Sequence, residues 1–253
     1  MSRFDMLREP ERREPESPSA ERQARQLYPD RDRSVRLNDG ELRSLRAVGA
    51  FRSVEARELP KASLRRLTEA GLAQRSTVYA RRGGERLEVL TLTDKGRDLL
   101  RSQQGASDAQ RYWSGIVKPR EIEHDLAIWR AYTSEAAAIA REGGSVRRVV
   151  LDYELKSHIN ARMNRAAGPE KAARRKELAE QYALPVINDK LALPDLRIEY
   201  TDAEGREQHR DIEVTTRHYR GAHRVAKMRS GFRLHDAGSP RAAVHDDHHL
   251  GWL

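Results

Sequence analysis

The sequence predicts a mixed α/β (α+β) chain in two parts, a small helix-and-ribbon unit followed by a larger unit of helices and strands. Three observations carry this. Apolar residues recur at helical spacing in "GELRSLRAVGAF" and "REIEHDLAIWRAYTSEAAAIA". They alternate with a period of two in "RLEVLTLT", "LRIEY" and "DIEVTT", as half-buried strands require. A polar stretch, "SQQGASDAQ", divides the chain, with both patterns present on each side. With 38% hydrophobic and 34% charged residues in 253, the core must be economical.

Residues 1–34 hold eight basic and eight acidic side chains and four prolines, with few apolar groups. Such a segment cannot bury enough surface to offset its ordering entropy, so a mobile arm is expected over 1–34. Order is expected from residue 35. Leu42, Leu45 and Val48 line one face of a first helix that Asn38 or Asp39 caps. "SVEAREL" fits a second short helix that stops before Pro60. "KASLRRLTEAGLA" fits a third, with Leu64 and Leu67 inward, Lys61, Arg65 and Arg66 outward, and Gly71 as a left-handed stop. "RSTVYARRGGERLEVLTLT" then reads as two strands turning at Gly83–Gly84, and Thr93 caps a closing helix.

Three short helices, a β-ribbon and a closing helix make a winged helix-turn-helix over 35–103. "LTEAGL" with "LTDKGRDLL" resembles the winged-helix repressors and regulators. That resemblance implies a third helix in the major groove of double-stranded DNA and a wing on the backbone. The expected contacts are Lys61, Ser63, Arg65 and Arg66 from the helix, and Arg81, Arg82 and Arg86 from the wing. Charge agrees: residues 41–103 carry 14 Lys and Arg against 8 Asp and Glu, and the whole chain is +9. Phosphate neutralisation by such residues supplies most non-specific DNA affinity.

The chain has no cysteine, which excludes disulfides, thiolate metal sites and cysteine nucleophiles. It has no 18-residue apolar run and no apolar leader, so a cytoplasmic protein with no membrane partner is expected.

Residues 104–115 are expected to be a linker, and 116–253 a second domain. It would comprise a long helix ending at Gly143–Gly144, a strand over "VRRVVLDYEL", and a basic, poorly apolar helical stretch broken at Gly168–Pro169. A hairpin would follow at 195–215, then a helix over "RHYRGAHRVAKMRSGFRLHD".

In the hairpin, Asp195 stands at the mouth of one strand and Glu213 in the middle of the next. Two such carboxylates are hard oxygen ligands able to share a divalent cation such as magnesium. "PD" followed by "EVT", after a helix and a strand, resembles the PD-(D/E)xK nuclease core. There an acid pair holds magnesium and a lysine two residues on assists the water. Carried over, the acids are Asp195 and Glu213, while the lysine position holds Thr215. Lys227 on the following helix is the candidate replacement.

The order of a winged helix, "HDL" at His124–Leu126, "LPDLRI" and "DIEVTTRHY" is similar to the plasmid replication-relaxation family. This implies a DNA-binding protein of plasmids or mobile elements, acting in replication, relaxation or transcriptional control. Its second domain would be a degenerate nuclease-like fold serving as scaffold, extra DNA contact or homodimer surface. The alternatives are a magnesium-dependent DNA endonuclease using Asp195, Glu213 and Lys227, and a protein-interaction adaptor. The terminal "HDDHHLGWL" offers His245, Asp246, His248 and His249 as metal ligands, but terminal histidine clusters seldom form closed sites.

Overall fold

The computed structural model describes residues 25–28, 34–80, 84–105, 109–116, 121–168, 170–215 and 229–237. The chain is mixed α/β, as its two hydrophobic periods require.

Strand β1 (Gln26–Tyr28) pairs antiparallel with β2 (Val35–Leu37). Helix α1 (Asp39–Phe51) follows, opened by a capping box. The Asn38 side chain accepts from Glu41 N at 2.8 Å, and Glu41 Oε2 accepts from Asn38 N at 2.9 Å. A short strand β3 (Val54–Glu55) and a single 3-10 turn (Ala56–Glu58) lead to α2 (Lys61–Glu69). Gly71, at φ +67°, ends α2. Its N–H reaches the Thr68 carbonyl, and the next N–H, from Leu72, reaches that of Leu67, a Schellman stop. Strands β4 (Ala73–Tyr79) and β5 (Arg86–Leu92) form the ribbon, with β3 on the far side of β5. Thr93 caps α3 (Asp94–Ser102) by accepting from Gly96 N.

The second half begins with α4 (Ile122–Arg141), then β6 (Ser145–Leu151), α5 (Asp152–Met163) and α6 (Glu170–Gln181). A small pair, β7 (Val186–Ile187) and β8 (Lys190–Leu191), precedes the hairpin β9 (Leu196–Thr201) and β10 (Glu207–Thr215). Strand β11 (Arg233–Asp236) closes a four-stranded sheet of order β11-β10-β9-β6, parallel only between β10 and β11. Helix α4 packs on one face of this sheet, where it touches β6, β9 and β10. Helix α5 packs on β6 and against α6. Among the described residues no helix is long and apolar enough to cross a membrane.

Four expectations need correction. The unpacked arm does not reach Ser34: Tyr28 is buried beside Val35, and Arg25 pairs with Glu41 at 3.1 Å. Residues 1–24 and 29–33 lie outside the described residues. "SVEAREL" is a strand and a 3-10 turn, because Val54 and Glu55 find a ladder partner on β5 that propensity cannot see. The strand at 146–155 ends at Leu151, where the chain turns into α5. The helix expected through Asp236 gives way to β11, pulled into extended form by its parallel ladder with β10; 216–228 lie outside the described residues.

The expected linker also packs. Tyr112 and Gln110 are buried, Trp113 N donates to Gly49 O, Gly115 N to Leu92 O, and Gln110 Oε1 accepts from Val149 N. One hydrophobic cluster accordingly runs from Tyr28 to Val214, through Phe51, Trp129 and Tyr132. Phe51 meets Trp129 edge-on at 5.1 Å and Tyr132 at 4.6 Å.

Candidate functional site

The hairpin brings Asp195 and Glu213 together. Leu196 pairs with Ile212, so one residue on, at the mouth of the strands, Asp195 faces Glu213. The Asp195 carboxylate is already committed: Oδ2 accepts from Val214 N at 2.9 Å, and His124 Nε2 lies 3.4 Å from the same oxygen. Burial opposes the charged imidazole, yet the Asp195 hydrogen bond, with the charges of Asp195, Asp125 and Asp152, raises the His124 pKa. Glu213 has no exposed surface at all. Thr215, at the lysine position, donates its hydroxyl to His235 O at 3.2 Å.

A catalytic magnesium keeps several waters and so needs open coordination positions. Among the described residues the pair does not present both carboxylates to solvent. Glu213 is sealed, one oxygen of Asp195 is engaged by a backbone N–H and a histidine, and no three potential ligands gather. No cleavage step is derived through this pair. Lys227 and the C-terminal histidines lie outside the described residues.

The helix and ribbon of the first half build a different kind of site. An open groove of about 490 Å³ runs between α2 and β4–β5, lined by Arg57, Lys61, Arg65 and Arg75 with Glu88 as its one acid. Leu59 and Leu64 floor it. Lys61 and Arg65 are exposed and one turn apart, the geometry of a helix face presenting two cations outward. Their own electrostatic ties are weak, since Arg65 has only Glu69 at 4.0 Å. Glu88 is shared between Arg75 and Arg86, and Arg57 pairs with Glu55 and Glu85, so the least committed cations of the rim are Lys61 and Arg65.

Two of the sequence candidates sit differently from expectation. Ser63 is buried, and with Leu67 it forms the inward face of α2, whereas Leu64 is only half-buried. The inward stripe is therefore turned by one residue, towards α1. Arg66 is half-buried and donates to the Arg36 carbonyl on β2 at 3.1 Å, so it ties α2 to the N-terminal hairpin. Arg86 is exposed at the start of β5, while Arg81 and Arg82 lie outside the described residues. Arg57 and Arg75, absent from the sequence candidates, complete the groove. Arg75 was legible as an outward position on an alternating strand; Arg57 was not, because its placement depends on the 3-10 turn.

Helix α4 carries three buried polar clusters. Arg130 donates to Glu58 at 2.7 Å and to Glu55 at 2.6 Å, joining the two halves. Arg52 lies 3.8 Å from Asp125 and 4.6 Å above the Tyr153 ring. Glu135 accepts from Arg210 at 3.1 Å and Arg233 at 3.0 Å, and meets His235 at 2.9 Å. The signal for them was acids at inward positions: Asp125 falls on the stripe with Trp129, Tyr132, Ala136 and Ile139.

Compared with protein-family models, with curated proteins and with solved structures, the chain finds no match in any of the three.

Proposed function

We propose that the chain binds duplex DNA through the groove between α2 and the β4–β5 ribbon, used as a winged helix. The observation that carries this is the lining: four cations and one acid around a concave surface whose edge is an exposed helix face. Lys61 and Arg65 would enter the major groove, and Arg57, Arg75 and Arg86 would take phosphates, as polyanion binding by clustered Lys and Arg requires. Ser63 and Arg66 support the helix from behind. The four-stranded unit acts as a scaffold that fixes the winged helix through α4. In the setting that the replication-relaxation resemblance implies, the protein acts on plasmid or mobile-element DNA in replication, relaxation or transcriptional control.

The test is binding to a duplex recovered by selection from a random library. Lys61→Ala with Arg65→Ala should cost about 1–3 kcal/mol for each base contact removed, or lower the salt slope by about 1 for each phosphate contact removed. Ser63→Ala should leave DNA affinity unchanged. Unchanged affinity and salt slope in the double variant would overturn the reading.

A further inference from the structure

Residues 156–176 carry seven Lys and Arg against the single acid Glu170, a denser positive run than the winged-helix segment itself. They form α5 from Lys156 onward and the first half of α6. These helices are poor in packing: Leu178 is the only buried residue of the twelve in α6, and Leu155 and Ile159 are the buried apolar residues of α5. They meet through a small separate cluster of Ile159, Leu178, Leu184 and Phe232. Twelve residues that bury one side chain are not held for the core they make. Their outer face is positive, and three of its seven cations are uncommitted, Arg162 being held by Gln181 and the Tyr182 ring. Lys156 pairs with Asp152, Arg174 with Glu177, and Arg175 with Asp189. Among the described residues Arg165, Lys171 and Lys176 are exposed and have no acid in ion-pair range.

Position adds to charge. Side chains alternate faces along a strand. On β9 and β10, Arg210 points towards α4, where it meets Glu135. Arg197 and Asp211, on the opposite face, bond each other, and Arg197 reaches the Tyr182 carbonyl just past α6. The α5–α6 hairpin is thus tied to the sheet face away from α4, whereas α1 and β3 contact α4 itself. Helix α5 begins beside the first half, with Tyr153 under Arg52, and runs from there to its far end, just short of Arg165.

We propose that α5–α6 is a second DNA-contacting surface that takes the phosphates of a duplex segment other than the one in the α2 groove, through Arg165, Lys171 and Lys176. This rests on the DNA-binding reading above. Two cationic surfaces built on different elements make the protein a bridge between two DNA segments. The contact is to the backbone, because the side chains that make it are Lys and Arg, whose charge pairs with phosphates whatever the sequence.

The full-length protein is mixed with two differently labelled duplexes, and their co-capture is measured alongside affinity at several salt concentrations. Wild type should bridge them. Arg165→Ala/Lys171→Ala/Lys176→Ala should abolish bridging and keep single-duplex binding by the α2 groove. The Lys61→Ala/Arg65→Ala variant should keep a weaker, sequence-independent affinity. Adding the triple substitution to it should lower the salt slope of that remaining binding by about 0.9 for each phosphate no longer neutralised. Bridging that survives the triple substitution, or a triple variant whose only defect is loss of self-association, overturns the second surface while leaving the first intact. A wild type that binds no duplex at all overturns both.

Discussion

At the residue scale, the buried charges between the two halves set how stability responds to pH. Asp125 is almost wholly buried, and burial pushes its carboxyl up to about 6, against the pull of Arg52 and His124. The folded state therefore holds a proton that the unfolded state, titrating near 3.8, releases. Between those values rising pH favours unfolding, by about 1.4 kcal/mol for each pKa unit, and the penalty is complete above about 6. Glu135 runs the other way. Burial would raise it, but the hydrogen bond from His235 and the charges of Arg233 and Arg210 hold it at about 2. Its contribution is present above the unfolded value of 4.5 and is lost as pH falls towards 2. Asp125→Asn should flatten the stability change between about pH 4 and 6 and leave the acid limb below pH 4 in place. Chemical denaturation across pH measures both limbs; an unchanged upper limb in the variant would assign that slope to other groups. Arg52 belongs to the same cluster and adopts φ +65°, a conformation side chains other than glycine rarely take. Its guanidinium, held by Tyr153, Asp125 and Glu121, keeps it there.

At the element scale, the placement of α3 depends on one missing side chain. Gly96 lies where α3 crosses the chain after α2, and a Cβ there would sit 2.1 Å from the Leu72 carbonyl oxygen. That oxygen also accepts from Thr93 N, so it cannot move aside without breaking the cap. Gly96→Ala should destabilise the fold by about 1–3 kcal/mol, the usual cost of forcing extra volume into a packed contact. A thermal melt checks it. "LTDKG" reads as a capped helix start, and Thr93 does cap it, but the need for glycine in its first turn is a contact with a residue 24 positions earlier. The same limit explains "SVEAREL", where the local pattern favours a helix and the partner strand β5 decides otherwise.

At the scale of the whole molecule, Arg130 is the clearest tie between the halves. It reaches from α4 to Glu55 and Glu58, both buried, with Glu58 raised by burial despite the arginine. Removing it leaves two sealed carboxylates facing each other without this cation. Arg130→Ala should cost about 3–5 kcal/mol, as loss of one partner from a buried ion pair does. Because the hydrophobic cluster is continuous from Tyr28 to Val214, wild type should unfold in one cooperative transition. Calorimetry of the two proteins tests this; two resolved transitions in wild type would mean that the halves fold independently.

The sequence by itself determined the class of the chain, its long helix, its two hairpins and the helix caps at Gly71 and Thr93, because each rests on neighbours within a few residues, while the structure chose Asn38 over Asp39 as the cap of α1. It also brought Asp195 opposite Glu213, through strand alternation and a short connection. Only the tertiary structure decided that Glu213 is sealed, that Asp195 is occupied by His124 and Val214, and that Ser63 faces inward while Arg57 and Arg75 line the groove. It likewise buried Gln110 and Tyr112 of the stretch expected as a linker, Tyr112 under Gly49 and Gln110 against Val149. Period and propensity act along the chain, whereas burial, charge partners and ladder pairing are set by residues tens of positions away.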